Sequence, residues 1–215
     1  MSSSQTGPTS TTGSSASSAS STVVTCGALA GHIRAIAARR GWPVTVHALP
    51  AALHNRPAGI PAQVQQAIDD LPPGAASGTV VAYADCGTYG QLDEAVARAG
   101  ASRLPGLHCY DLFAGSDTVR ELFHMEPGTY LLTDYLVRTF DRTVVASLGL
   151  DRHPELWPDY FGHYTRIVWL AQEPTADLEA EAARIAARFG LPLTTITTGL
   201  SRLEAALAAL IEGET

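Results

Sequence analysis

Short apolar runs recur along the chain, most of them close to a glycine, and helical spacing follows most of them. Thr22–Gly27 (TVVTCG), Val44–Leu49 (VTVHAL), Thr79–Gly90 (TVVAYADCGTYG), Ser102–Leu107 (SRLPGL), Arg166–Gln172 (RIVWLAQ) and Leu193–Thr197 (LTTIT) read as strands. Ala28–Arg40, Pro61–Leu71, Gln91–Ala99, Thr175–Phe189 and Ser201–Ile211 read as the helices between and after them. This alternation predicts an α/β fold built on a doubly wound, mainly parallel sheet. Asp117–Gly162 breaks the rhythm. A short helix to His124, a turn at Glu126-Pro127-Gly128, a longer helix over Tyr130–Leu148 and a piece around Pro154–Gly162 predict a helical cap inserted after the fourth strand. Pro105 within that fourth strand places it at an edge or ends it early.

Composition separates one segment from the rest. Residues 1–21 are almost entirely Ser, Thr, Ala, Gly and Pro, and are expected to form a disordered tail ahead of a single α/β domain over 22–215. The tail has neither the basic start nor the apolar stretch of a secretory leader, and no run reaches the roughly 18 apolar residues of a membrane span. A cytoplasmic protein without membrane contact is the expectation. The net charge is −7, and the 14 basic residues, all arginines, are scattered rather than striped. Nucleic acid is therefore not an expected partner.

Chemistry concentrates at the strand ends. Cys26, Cys86 and Cys109 each close a predicted strand, so all three are placed on the carboxyl-terminal rim, where open α/β sheets bind ligands. If the first, third and fourth strands are neighbours, these thiols and His108 form a sulfur and nitrogen set suited to zinc. Two other readings stand beside this one. The cysteines are small buried hydrophobes, or Cys86 is a nucleophile activated at a helix N-terminus and by a nearby histidine. Tyr160 and His163 in the cap are candidate catalytic partners of Cys86. His54 and Arg56, in a polar loop after the second strand, are candidates for cofactor or anion contact, together with Tyr130 and Asp134. Tyr130, Asp134, Tyr160 and His163 are expected to face the cysteines if the cap closes over the rim.

Seven segments occur in a recognisable order: CGAL (Cys26–Leu29), HNRP (His54–Pro57), the Cys86-Gly87 strand end, HCYDLFAGS (His108–Ser116), EPGTYLLTDYLVR (Glu126–Arg138), LGLDRHPEL (Leu148–Leu156) and YFGHYTRIVWLAQ (Tyr160–Gln172). On these the chain resembles, from Cys26 to Gly199, the bacterial and archaeal family called domain of unknown function 1638. Part of that family carries His-Asp-Cys where this chain has Leu107-His108-Cys109, which ranks His108 below Cys109 as a ligand. The resemblance brings no established activity. It implies a setting beside corrinoid-dependent methyltransferases and their corrinoid proteins. The expected function is then a zinc–thiolate protein of corrinoid-linked methyl-group or one-carbon metabolism, acting as a methyl-transfer enzyme. Cys86 and Cys109 are its principal ligands, Cys26 or His108 completes the set, and a small substrate thiol or water takes the open position. The competing expectations are a non-catalytic carrier of a corrinoid or metal, or an accessory protein that binds a partner methyltransferase, and the cysteine-nucleophile enzyme.

Overall fold

Residues 21–72 and 78–213 are described by a computed structural model. The expected tail lies outside the described residues except for Ser21, which opens the first strand. Four strands, β1 (Ser21–Cys26), β2 (Val44–Leu49), β3 (Val80–Ala82) and β4 (Ser102–Arg103), pair in parallel in the order β2-β1-β3-β4. Val23, Val24, Val80 and Val81 are all buried, as expected of a parallel sheet covered on both faces. Helices α1 (Gly27–Arg40), α2 (Ile60–Asp69) and α3 (Gln91–Arg98) supply part of that cover. Ile60, Val64 and Leu92 pack with Val24, Val81 and Tyr83 on one face, and Leu29, Ile33 and Ile36 pack with Val23 and Val80 on the other.

The chain next forms α4 (Cys109–Ala114) and α5 (Ser116–Met125). A second parallel sheet follows, of β5 (Thr129–Thr133), β6 (Arg166–Ala171) and β7 (Leu193–Thr197) in that order. Between and after these strands lie α6 (Asp134–Phe140), α7 (Trp157–Phe161), α8 (Ala176–Phe189) and α9 (Ser201–Ile211). Residues of α6, α7 and α8 cluster with Leu132, Ile167 and Trp169, while residues of α4 and α5 cluster with Leu131, Val168 and Leu170. The last helix, α9, returns to the first sheet, where Leu203 and Leu207 join Val23 and Val80.

The α/β class holds, but the single sheet with a helical cap is corrected to two sheets. Thr129–Thr133 is a strand and not the start of the helix expected over Tyr130–Leu148. A short unbroken apolar run such as TYLLT has no period that separates a buried strand from a buried helix. Because β5 pairs with β6, it builds its own sheet instead of lying across the first. The fourth strand has only two regular residues, yet backbone bonds continue past it. Asp85 N–H donates to Gly106 O (3.0 Å) and Cys86 N–H to Leu107 O (2.8 Å). These bonds hold the segments that carry Cys86 and Cys109 side by side. Across the seam between the two halves, His32 Nδ1 on α1 lies 3.5 Å from a Glu173 carboxylate oxygen beyond β6. Among the described residues no helix is long and apolar enough to cross a membrane.

Candidate functional site at the seam of two sheets

In the first sheet β2 lies beyond β1 on one side, while β3 and β4 follow on the other. The rim between β1 and β3 is thus a point where the strand order reverses, and such points open a crevice in parallel sheets. Cys26 is the last residue of β1, and Gly27 turns the chain into α1. A Cβ on Gly27 would lie 2.9 Å from Leu49 O, so no side chain fits where this turn crosses the end of β2. Cys26, Cys86, Cys109, Tyr83, His54 and His108 all line one cavity of about 210 Å³. Thr133, Tyr135 and Leu136, at and just past the carboxyl end of β5, contribute to its lining from the second sheet. The cavity belongs to both halves.

A single carboxylate shapes the loop that presents Cys86. Asp85 Oδ1 accepts from Thr88 Oγ1 (2.8 Å) and the Gly90 amide (2.9 Å), and Oδ2 accepts from the Gly87 and Tyr89 amides (both 3.1 Å). Cys86 and Tyr89 both sit in the left-handed region, each at φ 52°, which costs a non-glycine residue roughly 1–2 kcal/mol. The bonds to Asp85 offset that cost. Burial alone would raise the Asp85 pKa, but these four bonds outweigh it and hold the carboxyl below its ordinary range.

The thiols are uncharged in the metal-free protein. Burial first, then the closeness of a second thiol, Cys26, and of the Asp85 carboxylate, pushes Cys86 up to about 11. Cys109 is raised by burial and by the other two thiols. Cys26 is raised by burial, against a smaller pull from the Ala28 and Leu29 amides. No arginine or carboxylate lines the cavity. Tyr83 is 2% exposed. Its hydroxyl makes no well-formed hydrogen bond among the described residues and has the Cys26 thiol as a weak partner, although a buried hydroxyl without a full bond costs about 1–3 kcal/mol. Tyr83→Phe is therefore expected to leave the metal-free protein as stable or up to about 1 kcal/mol more stable, read from a urea melt. A clear loss of stability would show that the hydroxyl is already satisfied.

A larger cavity, about 450 Å³, adjoins the first and shares His54, Tyr110 and Leu136 with it. Its walls include Tyr130, Phe161, Tyr164 and Phe123. His54 sits where the two spaces meet. Its Nδ1 donates to Ala51 O at 2.7 Å, which leaves Nε2 of the neutral ring with a free lone pair, as in many ligating histidines.

A family model described as "Protein of unknown function (DUF1638)" matches residues 48–207. The chain belongs to this family. No curated protein and no solved structure matches it. The span matched by the DUF1638 model includes His54, Cys86, His108 and Cys109 but begins after Cys26. Cys26 therefore joins the site on geometry, not on the family match.

Other candidate residues of this DUF1638 member are placed as follows. His108 lines the thiol cavity at its exposed edge. Tyr130 lines the aromatic cavity. Arg56 is exposed and lines neither space. Tyr160, 45% exposed, and the exposed His163 also line neither, whereas Phe161 and Tyr164 do line the aromatic cavity. Asp134 is fully buried away from both cavities, and Trp169 Nε1 and the Gln172 amide donate to its Oδ1. Its role is to tie β5 to β6. Sequence reasoning passed over Tyr83, Asp85, Tyr110 and Tyr135. Among the described residues, no group of three or more His, Cys, Asp or Glu side chains is arranged to hold a metal ion as it stands.

Proposed function

We propose that this protein holds a soft metal ion, zinc foremost, in the thiol cavity. Cys86 and Cys109 are the principal ligands, and either Cys26 or a histidine, His54 ahead of His108, is the third. The observation that carries the reading is the meeting of three cysteines around one small space that, among the described residues, no arginine or carboxylate lines. Neutral thiols in such a space lack only a cation, and a soft ion would lower their pKa values and release their protons. The thiols line the cavity without closing on one point, so loading includes a turn of their side chains about χ1. An ion held this way keeps a position at which a small substrate thiol would ionise. Methyl transfer, with a corrinoid protein or methyltransferase as partner, is the extension of this proposal. A non-catalytic carrier or accessory role is the second reading, favoured by walls that bring no arginine or carboxylate to the ligand.

The test is metal analysis of tag-free protein. About one zinc per chain is expected, either on purification or after zinc is added. Cys86→Ser and Cys109→Ser are each expected to lose most of it while the fold is retained. Wild-type protein that takes up no zinc, cadmium or copper(I) would overturn the proposal. Reactivity bears on the nucleophile reading. With Cys86 raised to about 11, alkylation of metal-free protein at pH 7 is expected to be about a hundredfold slower than that of a free thiol. Rapid modification of Cys86 at neutral pH would favour the nucleophile instead. Stability follows the same pKa. A thiol raised on folding stabilises fully below the unfolded value, near 8.5, and that contribution is lost as pH climbs toward the folded one. Metal-free protein is thus expected to melt progressively lower above about pH 8.5.

A further inference from the structure

The larger cavity has walls of a different kind. Tyr130 and Tyr164 stand with ring centroids 5.0 Å apart at 89°, and Tyr130 and Phe161 5.9 Å apart at 88°. Rings set at right angles present faces and edges from more than one direction. Tyr110 and Phe123 add to the wall, and no arginine, aspartate or glutamate lines the space. A phosphate or carboxylate would find no arginine here, His54 being the basic residue of the lining, and a buried anion without a counter-ion is costly. A volume of about 450 Å³ is within the usual range for a small-molecule site. The faces of aromatic rings are electronegative, and they favour soft, weakly hydrated cations over neutral molecules of equal size. The chain's net charge of −7 also favours the approach of a cation.

We infer that this aromatic cavity binds a small methylated organic cation, of the quaternary ammonium or sulfonium class. The ligand's cationic head lies against the wall that Tyr130, Phe161 and Tyr164 form, and the opening shared by His54 and Tyr110 leads from it to the thiols. This inference goes beyond the metal reading and does not need it: binding of the cation and binding of zinc are measured separately. Choline and 3,3-dimethylbutan-1-ol, its neutral isostere, are the probes.

Isothermal titration of the full chain is expected to give saturable choline binding at least about tenfold tighter than that of the alcohol. Tyr164→Leu should weaken choline several-fold. Phe123 is 39% exposed, so Phe123→Ala is a second wall variant that will fold, and it too should bind choline more weakly. Arg56→Ala, at an exposed residue that lines neither cavity, should leave choline affinity unchanged. Equal binding of alcohol and choline would reduce the site to an apolar pocket and overturn the inference. So would the absence of saturation by 100 mM choline (on the order of the weakest specific binding), or unchanged choline affinity in both wall variants.

Discussion

Asp85→Ala is expected to lower the melting temperature by roughly 6–16 °C and to abolish zinc uptake. The carboxylate accepts four hydrogen bonds, three from backbone amides and one from Thr88. Each bond to a charged group is worth about 1.5–3 kcal/mol, and water replaces part of them, so a net loss of about 3–4 kcal/mol is reasonable. In a chain of this size each kcal/mol moves the melting point by about 2–4 °C. Without those bonds nothing offsets the left-handed backbone of Cys86 and Tyr89, and the thiol leaves its place on the rim. Asp85→Asn should fall between parent and alanine variant, since its amide nitrogen meets a donor where an acceptor is needed. Acid should act in the same direction. A carboxyl depressed on folding stabilises fully above its unfolded pKa, near 3.9, and that support is lost as pH falls through the folded value. An Asp85→Ala protein that melts within 2 °C of the parent, about the size of one weak surface effect, and binds zinc normally would sink this account of the loop.

Asp134→Ala should cost as much stability or more, yet leave both cavities working in whatever protein folds. Asp134 is 0% exposed and accepts from Trp169 Nε1 (3.0 Å), the Gln172 amide (3.1 Å) and the Glu173 amide (2.8 Å). Its own amide donates to Gln172 Oε1 at 2.9 Å. Removing the carboxylate strands three buried or part-buried donors at the junction of β5 and β6, for about 3–5 kcal/mol. Thermal melts and binding per folded molecule separate this role from ligand contact. A stable Asp134→Ala protein that no longer binds zinc or choline would restore the residue to the site.

How much of this was legible in the sequence differs from residue to residue. Cys26 and Cys86 could be placed at or just beyond strand ends because a glycine follows each of them, whereas Cys109 does not close a strand but opens α4, well past the end of β4. β5 could not, because TYLLT is short and almost wholly buried, threonines included, so no alternation of polar and apolar positions marks it as a strand. The aromatic segment at Tyr160–Tyr164 was recognised but assigned the wrong face. In a helix as short as Trp157–Phe161 one turn gives too little phase to tell Phe161 and Tyr164 from Tyr160 and His163. Asp134 looked like chemistry because it is an acid at a strand end, and its partners Trp169 and Gln172 lie over thirty residues away. Asp85 did leave a signal. An aspartate followed by Gly87 and Gly90 is turn chemistry in which the side chain bonds the amides ahead of it. Tyr83 left none, since a phenol whose neighbour is a thiol of another strand looks, in sequence, like any other strand aromatic.

The return of α9 to the first sheet bears on the order in which the protein is made. Leu203 and Leu207 are 0% exposed beneath Val23 and Val80. Glu204 and Glu212 pair with Arg39 and Arg40 at the far end of α1. The first sheet is therefore synthesised early, but one of its faces is completed by a helix made after the whole second sheet. On the ribosome β1 and β3 wait with that face only partly covered, by α1 and α4, at the stage when exposed apolar surface invites misassembly. The three thiols come together on a sheet whose packing is completed only once α9 has been made.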